Sequence, residues 1–529
     1  MKPSAAAQQT AIPPANKETE KMKPNATPSR PRKASFAVLA TAIALLAGAL
    51  GAAPAQAEFG LNSFDFSFTE PDATFGTQLS AATQAGSHPF AQTTSFRMNS
   101  HAEGGREFPD EEAKEVLFDL PPGFVGKPNV VPHCSTAEFL EIRLFENGCP
   151  TKTAIGFVVY SAANGGYVYN ATAPVYSLPP APGVPARFGF TAITVPIVVD
   201  VGVKQEPPYN LVAASRSIPQ ALAFFGAQLT LWGNPSDHAH DEFRGSCIFP
   251  YSISEGSEPP VFFSTGSCPV EIPEEPFLTM PARCDGPLQA TATAESWQEP
   301  GKPVSATTST HDFAEPPNPQ GLTGCGKLNF TPRVESESTT KSAQTGSGLD
   351  FHVGFDDPGL TSSSGLAESQ IKKAEITLPE GMTVNPSIGE GLGVCTPAQI
   401  ARETIHSEPG EGCPQSSKIG TVHLQTPLIE EGIDGSVFLA QQDDPGTTEH
   451  GAENPFDSLI AFYIVLRNTN LGVLVKLPAK VEPDPRTGQL VTTLENVPQQ
   501  PFSSFDFHFK EGQRAPLITP ATCGEYTTK

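Results

Sequence analysis

The sequence predicts an all-β protein made of tandem antiparallel β-sandwich (Ig-like) domains in two homologous copies, each with one short capped helix. Three observations carry this expectation. The 529 residues include 55 prolines and 46 glycines, about a fifth of the chain, which interrupts it too often for long helices. Short β-rich runs recur between these breakers, as at residues 154–161, 187–203, 228–232 and 459–467, and nothing of helix length follows each run, so crossover α/β units are excluded. Finally, the chain matches itself at an offset of 258 residues near its clearest motif.

In chain order, the first segment is an address. Arg30, Arg32 and Lys33 precede residues 36–53, which carry no charge, and Ala55-Gln56-Ala57 supplies the small-x-small pattern that signal peptidase accepts. Export with cleavage after Ala57 is the expectation, and Met22, which leaves a short basic region, reads as the true start. The apolar run is rich in alanine and glycine, so cleavage is favoured over retention; an uncleaved run is the one route to a membrane. Residues 58–86 are polar and poor in branched side chains, and read as a flexible lead-in.

The first copy is expected over residues 87–332, a Ser/Thr/Pro/Glu-rich linker over 333–345, and the second copy over 346–529. In the first, the strand Val116-Leu117-Phe118-Asp119 runs into Leu120-Pro121-Pro122-Gly123; in the second, Ala374-Glu375-Ile376-Thr377 runs into Leu378-Pro379-Glu380-Gly381. Proline ends a ladder and glycine permits the bend, so each motif reads as a strand entering a turn. Ser135-x-x-Glu138 and Thr396-x-x-Gln399 are capping boxes, the second with Pro397 at the first helical position, and predict one short helix per copy. Residues 471–480 and 489–494, joined by Pro485-Arg486-Thr487-Gly488, predict a hairpin. An insertion, residues 234–275, is found only in the first copy. As a loop on a rigid scaffold it is the place to expect a ligand.

Nine cysteines in an exported chain, with no Cys-x-x-Cys among them, read as disulfides rather than zinc ligands. Equivalent cysteines should pair equivalently, which gives Cys134 with Cys149, Cys395 with Cys413, Cys247 with Cys268 and Cys284 with Cys325. Cys523, the counterpart of Cys284, is left unpaired six residues before Lys529, and the reading is of a chain cut short before its partner.

Beyond residue 57 there are 26 basic and 55 acidic residues, a net charge of -29, which excludes a nucleic-acid partner because phosphate binding needs a basic face. The densest polar cluster is Asp237-His238-Ala239-His240-Asp241-Glu242. His238, His240, Asp237 and Asp241 form a weak candidate site for zinc or calcium, but they follow a turn and read more simply as a solvated loop. No nucleophile elbow, His-Glu-x-x-His or phosphate loop is present, and no catalytic residue is assigned. Asp356-Asp357, Asp443-Asp444 and Glu482 with Asp484 could serve glycoside hydrolysis, yet each lies beside proline or glycine in a turn.

The stretch Leu378-Pro379-Glu380-Gly381-Met382-Thr383-Val384-Asn385-Pro386-Ser387, with Cys413-Pro414, Lys418-Ile419-Gly420, Gly472-Val473-Leu474-Val475-Lys476 and Val481-Glu482-Pro483-Asp484-Pro485, resembles a family of large, exported, uncharacterised β-rich repeat proteins of high-GC Gram-positive bacteria. The resemblance implies an architecture and a compartment, and transfers no site residue. The functional expectation is an exported cell-surface or extracellular protein that spaces or binds, its partner a cell-wall or surface polymer. The alternative is a secreted hydrolase acting on polysaccharide.

Overall fold

Two large antiparallel sheets of the same strand order account for most of the chain. The computed structural model describes residues 58–70, 80–142, 147–164, 167–221, 223–248, 254–255, 266–389, 391–442, 456, 458 and 460–529; the expected signal peptide and Asp443-Asp444 lie outside them. The first sheet contains β1 (Leu61–Glu70), β2 (Ser80–Ala81), β3 (Ala91–Met98), β4 (Ala113–Asp119), β5 (Ala154–Asn164), β6 (Tyr167–Leu178), β7 (Ala186–Ala192), β8 (Val195–Val203), β9 (Leu211–Ser215), β10 (Ala223–Trp232), β11 (Gln289–Ser296) and β12 (Val304–Ser309). Its spatial order is β12-β11-β4-β9-β8-β7-β6-β5-β10-β3-β1-β2, and Ser254–Glu255 adds a short strand beside β6.

The second sheet contains β13 (Arg333–Ser338), β14 (Leu349–Gly354), β15 (Lys373–Thr377), β16 (Lys418–Gln425), β17 (Ile433–Leu439), β18 (Ile460–Asn468), β19 (Val473–Pro483), β20 (Leu490–Glu495) and β21 (Ser504–Phe509). Its order is β13-β14-β21-β16-β17-β18-β19-β20-β15. Placing β16 on β5 makes all nine strands coincide with β1-β3-β10-β5-β6-β7-β8-β9-β4, in the same chain order. The repeat is therefore a repeat of topology, and the fold is an all-β, two-copy sandwich in which each sheet curls into a half-barrel.

Two expectations are corrected. Residues 58–86 are not a lead-in throughout: β1 is a full strand of the first sheet, with Phe66 and Phe68 buried against Phe124. Nor is 333–345 plain linker, since β13 is an edge of the second sheet, and the equally Ser/Thr-rich β12 before it completes a hairpin with β11. Their serines and threonines pair across strands instead, Thr291 with Thr307 and Thr293 with Ser305 at 3.0 Å each, which hides a strand from any reading based on apolar periodicity.

The core lies on the inner faces of both half-barrels, with Ile155, Val158, Tyr160, Phe188 and Phe190 in one and Ile419, Val422, Val437, Ile464 and Phe507 in the other. β12 returns against β1 in the first copy, where Asp65 of β1 accepts a bond from the His311 ring at 2.6 Å. Both capping boxes form, around α1 (Thr136–Leu140) and α2 (Pro397–Arg402), and the disulfides Cys134–Cys149 and Cys395–Cys413 tie each helix to the sheet beside it. Gly123 and Gly381 take φ of +86° and +80°, the left-handed conformation that the Leu-Pro-x-Gly turns require.

Candidate functional site

In the described part of the insertion the four candidate ligands do not converge. Residues His238–Phe243 make a short 3₁₀ turn capped by Asp237, which sends the two imidazoles in different directions. His240 is buried between the rings of Trp232, at 4.8 Å, and Phe90, at 4.4 Å, and burial together with the neighbouring Arg244 charge pushes its pKa down to about 3. His238 is exposed and bonds Asp241 at 2.9 Å. Asp241 also pairs with the fully buried Arg244 at 3.3 Å; that guanidinium donates to the Pro235 carbonyl and stacks on Trp232. Among the described residues no three His, Cys, Asp or Glu side chains come together to hold a metal.

What this insertion does is cover the outer face of the first sheet. Phe243 stacks on Phe157 of β5, Arg244 on Trp232 of β10, and Cys247–Cys268 closes the segment. Cys284–Cys325 ties the end of the same copy, and Cys523 is exposed and free. Two of the acidic turn candidates are committed to backbone amides, and a third, Glu482, pairs with Lys480. Asp357 accepts from the amides of Leu360 and Glu368, and Asp484 from those of Arg486 and Thr487.

Among the described residues the second sheet has no counterpart of this insertion, and beside the part packed by the α2 loop its outer face opens into a cleft of about 1130 Å³. Strand registers align one side chain from each of six neighbouring strands across its floor. Glu335 of β13 lies opposite His352 of β14, His352 opposite Asp506 of β21, Asp506 opposite His423 of β16, His423 opposite Asp434 of β17, and Asp434 opposite Arg467 of β18. Acid and base alternate along the whole row. The His352 ring bonds Asp506 at 2.6 Å and the His423 ring bonds Asp434 at 2.7 Å. A second row begins one step away, where the His508 ring bonds Asp350 at 2.5 Å. In each pair Nδ1 faces the carboxylate; for His423, Nε2 accepts from the Gln425 amide at 2.7 Å, which fixes the tautomer.

Arg467 ends the row because the disulfide-stapled loop holds it there. It donates to the buried Glu403 carboxylate and to the Ser407 carbonyl, while Glu403 also accepts from the Cys413 amide at 2.9 Å. The α2 staple thus positions one end of the cleft.

Stability does not account for the row. Its two histidines are 36% and 42% exposed, and His508 of the second row 45%; ion pairs at such positions contribute about 0–1 kcal/mol. In the first sheet the equivalent registers carry Thr93, Ser95, Val159, Thr172, Gln228 and Thr230, with a Thr93–Thr230 hydroxyl bond of 3.1 Å where the second has Asp350–His508. Of these registers the first sheet keeps one charge, Asp65 opposite Ser95 in the place of Glu335, where the second carries an alternating charged row.

Sequence reasoning passed over these residues because they come from strands far apart in the chain. A signal was nonetheless present. Asp350-Phe351-His352 and Asp506-Phe507-His508 are the same triplet, and a period of two puts aspartate and histidine on one face and phenylalanine in the core.

No family model matches the chain, and no curated protein or solved structure matches it. Four disulfides fit an oxidising, extracellular setting, and among the described residues no helix is long and apolar enough to cross a membrane.

Proposed function

We propose that this is an exported extracellular binding protein that holds an amine-bearing surface polymer on the open outer face of its second sheet. The alternating row from Glu335 to Arg467 carries the reading. The described residues lining the cleft include seven carboxylates against one lysine and one arginine, so the face favours a cationic ligand. With strands roughly 4.8 Å apart, the aspartate acceptors of the row recur at about 10 Å, a spacing suited to a repeating polymer. The resemblance to exported repeat proteins and the four disulfides point to the same compartment.

Retention on chitosan beads, compared with N-acetylated chitin and dextran, tests this. The chain from residue 58 onward is expected to be retained on chitosan alone, and an Asp434→Asn/Asp506→Asn double variant to be released. Equal retention of that variant would overturn the reading. A secreted hydrolase acting on polysaccharide is the second reading, favoured by the aspartate-oriented imidazoles of His352 and His508, since a carboxylate that accepts from Nδ1 fixes the ring's orientation. Soluble sugar released from any of the three polymers would favour it.

A further inference from the structure

The repeat makes each half-barrel a control for the other, and their interiors differ as well as their outer faces. With β16 set on β5 and β21 on β10, the inward residues Leu349 and Phe351 of β14 correspond to Gln92 and Thr94 of β3, and Phe505 of β21 corresponds to Ala227 of β10. In the second copy all three belong to the hydrophobic core or pack against it. The first copy has two polar side chains and an alanine there instead, and its interior holds a cavity of about 130 Å³. This half-barrel is closed where β12 returns against β1.

The lining of the cavity is almost wholly apolar. Apart from Gln92, Thr94, Tyr160 and Ser215, the described residues around it carry no polar side-chain atom. The Tyr160 hydroxyl is engaged, accepting from the Ile193 amide at 2.8 Å. Gln92 is only half engaged. It is 3% exposed, and its carboxamide nitrogen donates to the Thr94 hydroxyl at 2.8 Å, while among the described residues its oxygen has no hydrogen-bond partner. A buried carboxamide with an unmade bond is unfavourable, and the leucine of the second copy avoids that cost, so the glutamine points to a polar group arriving from outside the chain. Leu231, Phe277 and Leu278, all buried, close the cavity at the Gln92 end. At its other end the lining includes the half-buried Ser215 and Phe224 and the exposed Pro219, which form the way in.

We infer that the interior of the first half-barrel is a binding site for a small apolar alcohol of about one ring, a phenol or a cyclic alcohol, whose hydroxyl bonds the Gln92 carboxamide. The size follows from the volume, since a dry apolar cavity of about 150 Å³ takes a molecule like benzene. The absence of charge in the described lining excludes an ionic ligand, which would be desolvated without compensation. The unmade bond of Gln92 selects the alcohol over the hydrocarbon of the same shape. This site is independent of the polymer-binding face, because none of its residues lines the charged cleft of the second sheet.

The probes are p-cresol and toluene, which differ by the hydroxyl alone, titrated into the full chain by isothermal titration calorimetry. Saturable binding of p-cresol is expected, with toluene binding about tenfold more weakly. Gln92→Leu keeps the apolar volume and should bind the two with equal affinity. Gln92→Leu/Thr94→Phe installs the pair that the second copy carries and should bind neither. If the double variant fails to fold, the single one still decides. Absence of p-cresol binding, as expected if water alone meets Gln92, would overturn the inference. So would equal affinity of the parent for the two probes, a preference for p-cresol that survives in Gln92→Leu, or binding that survives in the folded double variant.

Discussion

His240 is neutral in the folded chain because its ring is shut between Phe90 and Trp232 beside the Arg244 charge, and among the described residues its Nε2 has no hydrogen-bond partner. Its folded pKa of about 3 lies below the ordinary value of 6.5, so the unfolded chain binds the proton first as pH falls. The stability of this site is intact above pH 6.5 and declines at about 1.4 kcal/mol per pH unit between there and pH 3. His240→Phe keeps a ring in the stack and removes the titration. Urea midpoints measured from pH 7 to 4 should fall less steeply in that variant than in the parent; parallel curves would mean that other groups set the acid limit. His311 works in the opposite sense. Burial opposes its charge, but bonds to the Asp312 carbonyl and to Asp65 outweigh this and raise its pKa, so its hold on the β1 seam is complete below pH 6.5 and fades as pH rises through the raised value. The sequence showed the histidines of the insertion as a polar cluster. It could not show that one of them is a core residue, since nothing in Asp237-His238-Ala239-His240 announces Phe90, more than a hundred residues away, as a lid.

At the scale of elements, the staples were the most legible features and the weak strands the least. Equivalent cysteines and two capping boxes stand in the same order in both copies, so the helices α1 and α2 and their disulfides follow from local chemistry alone. β12 and β13 escaped because their strand signal is not an apolar one, while β1 does alternate Phe64, Phe66 and Phe68 and was passed over inside a polar stretch. β13 has five exposed residues of six, and β12 is a Ser/Thr strand that earns its place through hydroxyl pairs and backbone bonds. The α2 staple also carries a functional load, since Glu403 hangs from its loop and holds Arg467 at the end of the charged row. Replacing Cys395 and Cys413 together with serine should lower stability by about 3 kcal/mol, the effect of opening an 18-residue loop, read as a shift in urea midpoint at unchanged slope. A larger loss, with the slope altered, would mean that the loop unfolds as a unit and takes the Glu403–Arg467 anchor with it.

At the scale of the whole molecule, the two copies meet rather than hang as separate beads. Tyr209, in the turn between β8 and β9, holds a left-handed φ of +59° that an aromatic residue adopts only when its surroundings require it. Its hydroxyl donates to the Lys476 carbonyl at 2.6 Å and accepts from the Lys476 amide at 3.1 Å, and its own carbonyl accepts from Gln500 at 3.2 Å, all across to the second copy. Elsewhere between the copies the Gly183 amide bonds the Asn470 carbonyl at 2.8 Å, the Ala367 amide bonds the Gly86 carbonyl at 2.8 Å, and the His88 ring meets the Gly359 carbonyl at 2.9 Å. The Tyr209 ring itself packs in the core of the second half-barrel. A side chain of one copy thereby belongs to the hydrophobic core of the other, and the two should unfold together. Calorimetry of the parent should give one transition, with calorimetric and van't Hoff enthalpies equal. Tyr209→Ala removes a buried ring, at a cost of about 3–5 kcal/mol, and falls on the second copy and the contact rather than on the first copy's core. The endotherm should therefore split, its lower component moving down while the upper one, carrying the first sheet, stays near its original temperature. A single endotherm shifted as a whole would show that the remaining backbone contacts suffice to couple the copies without Tyr209.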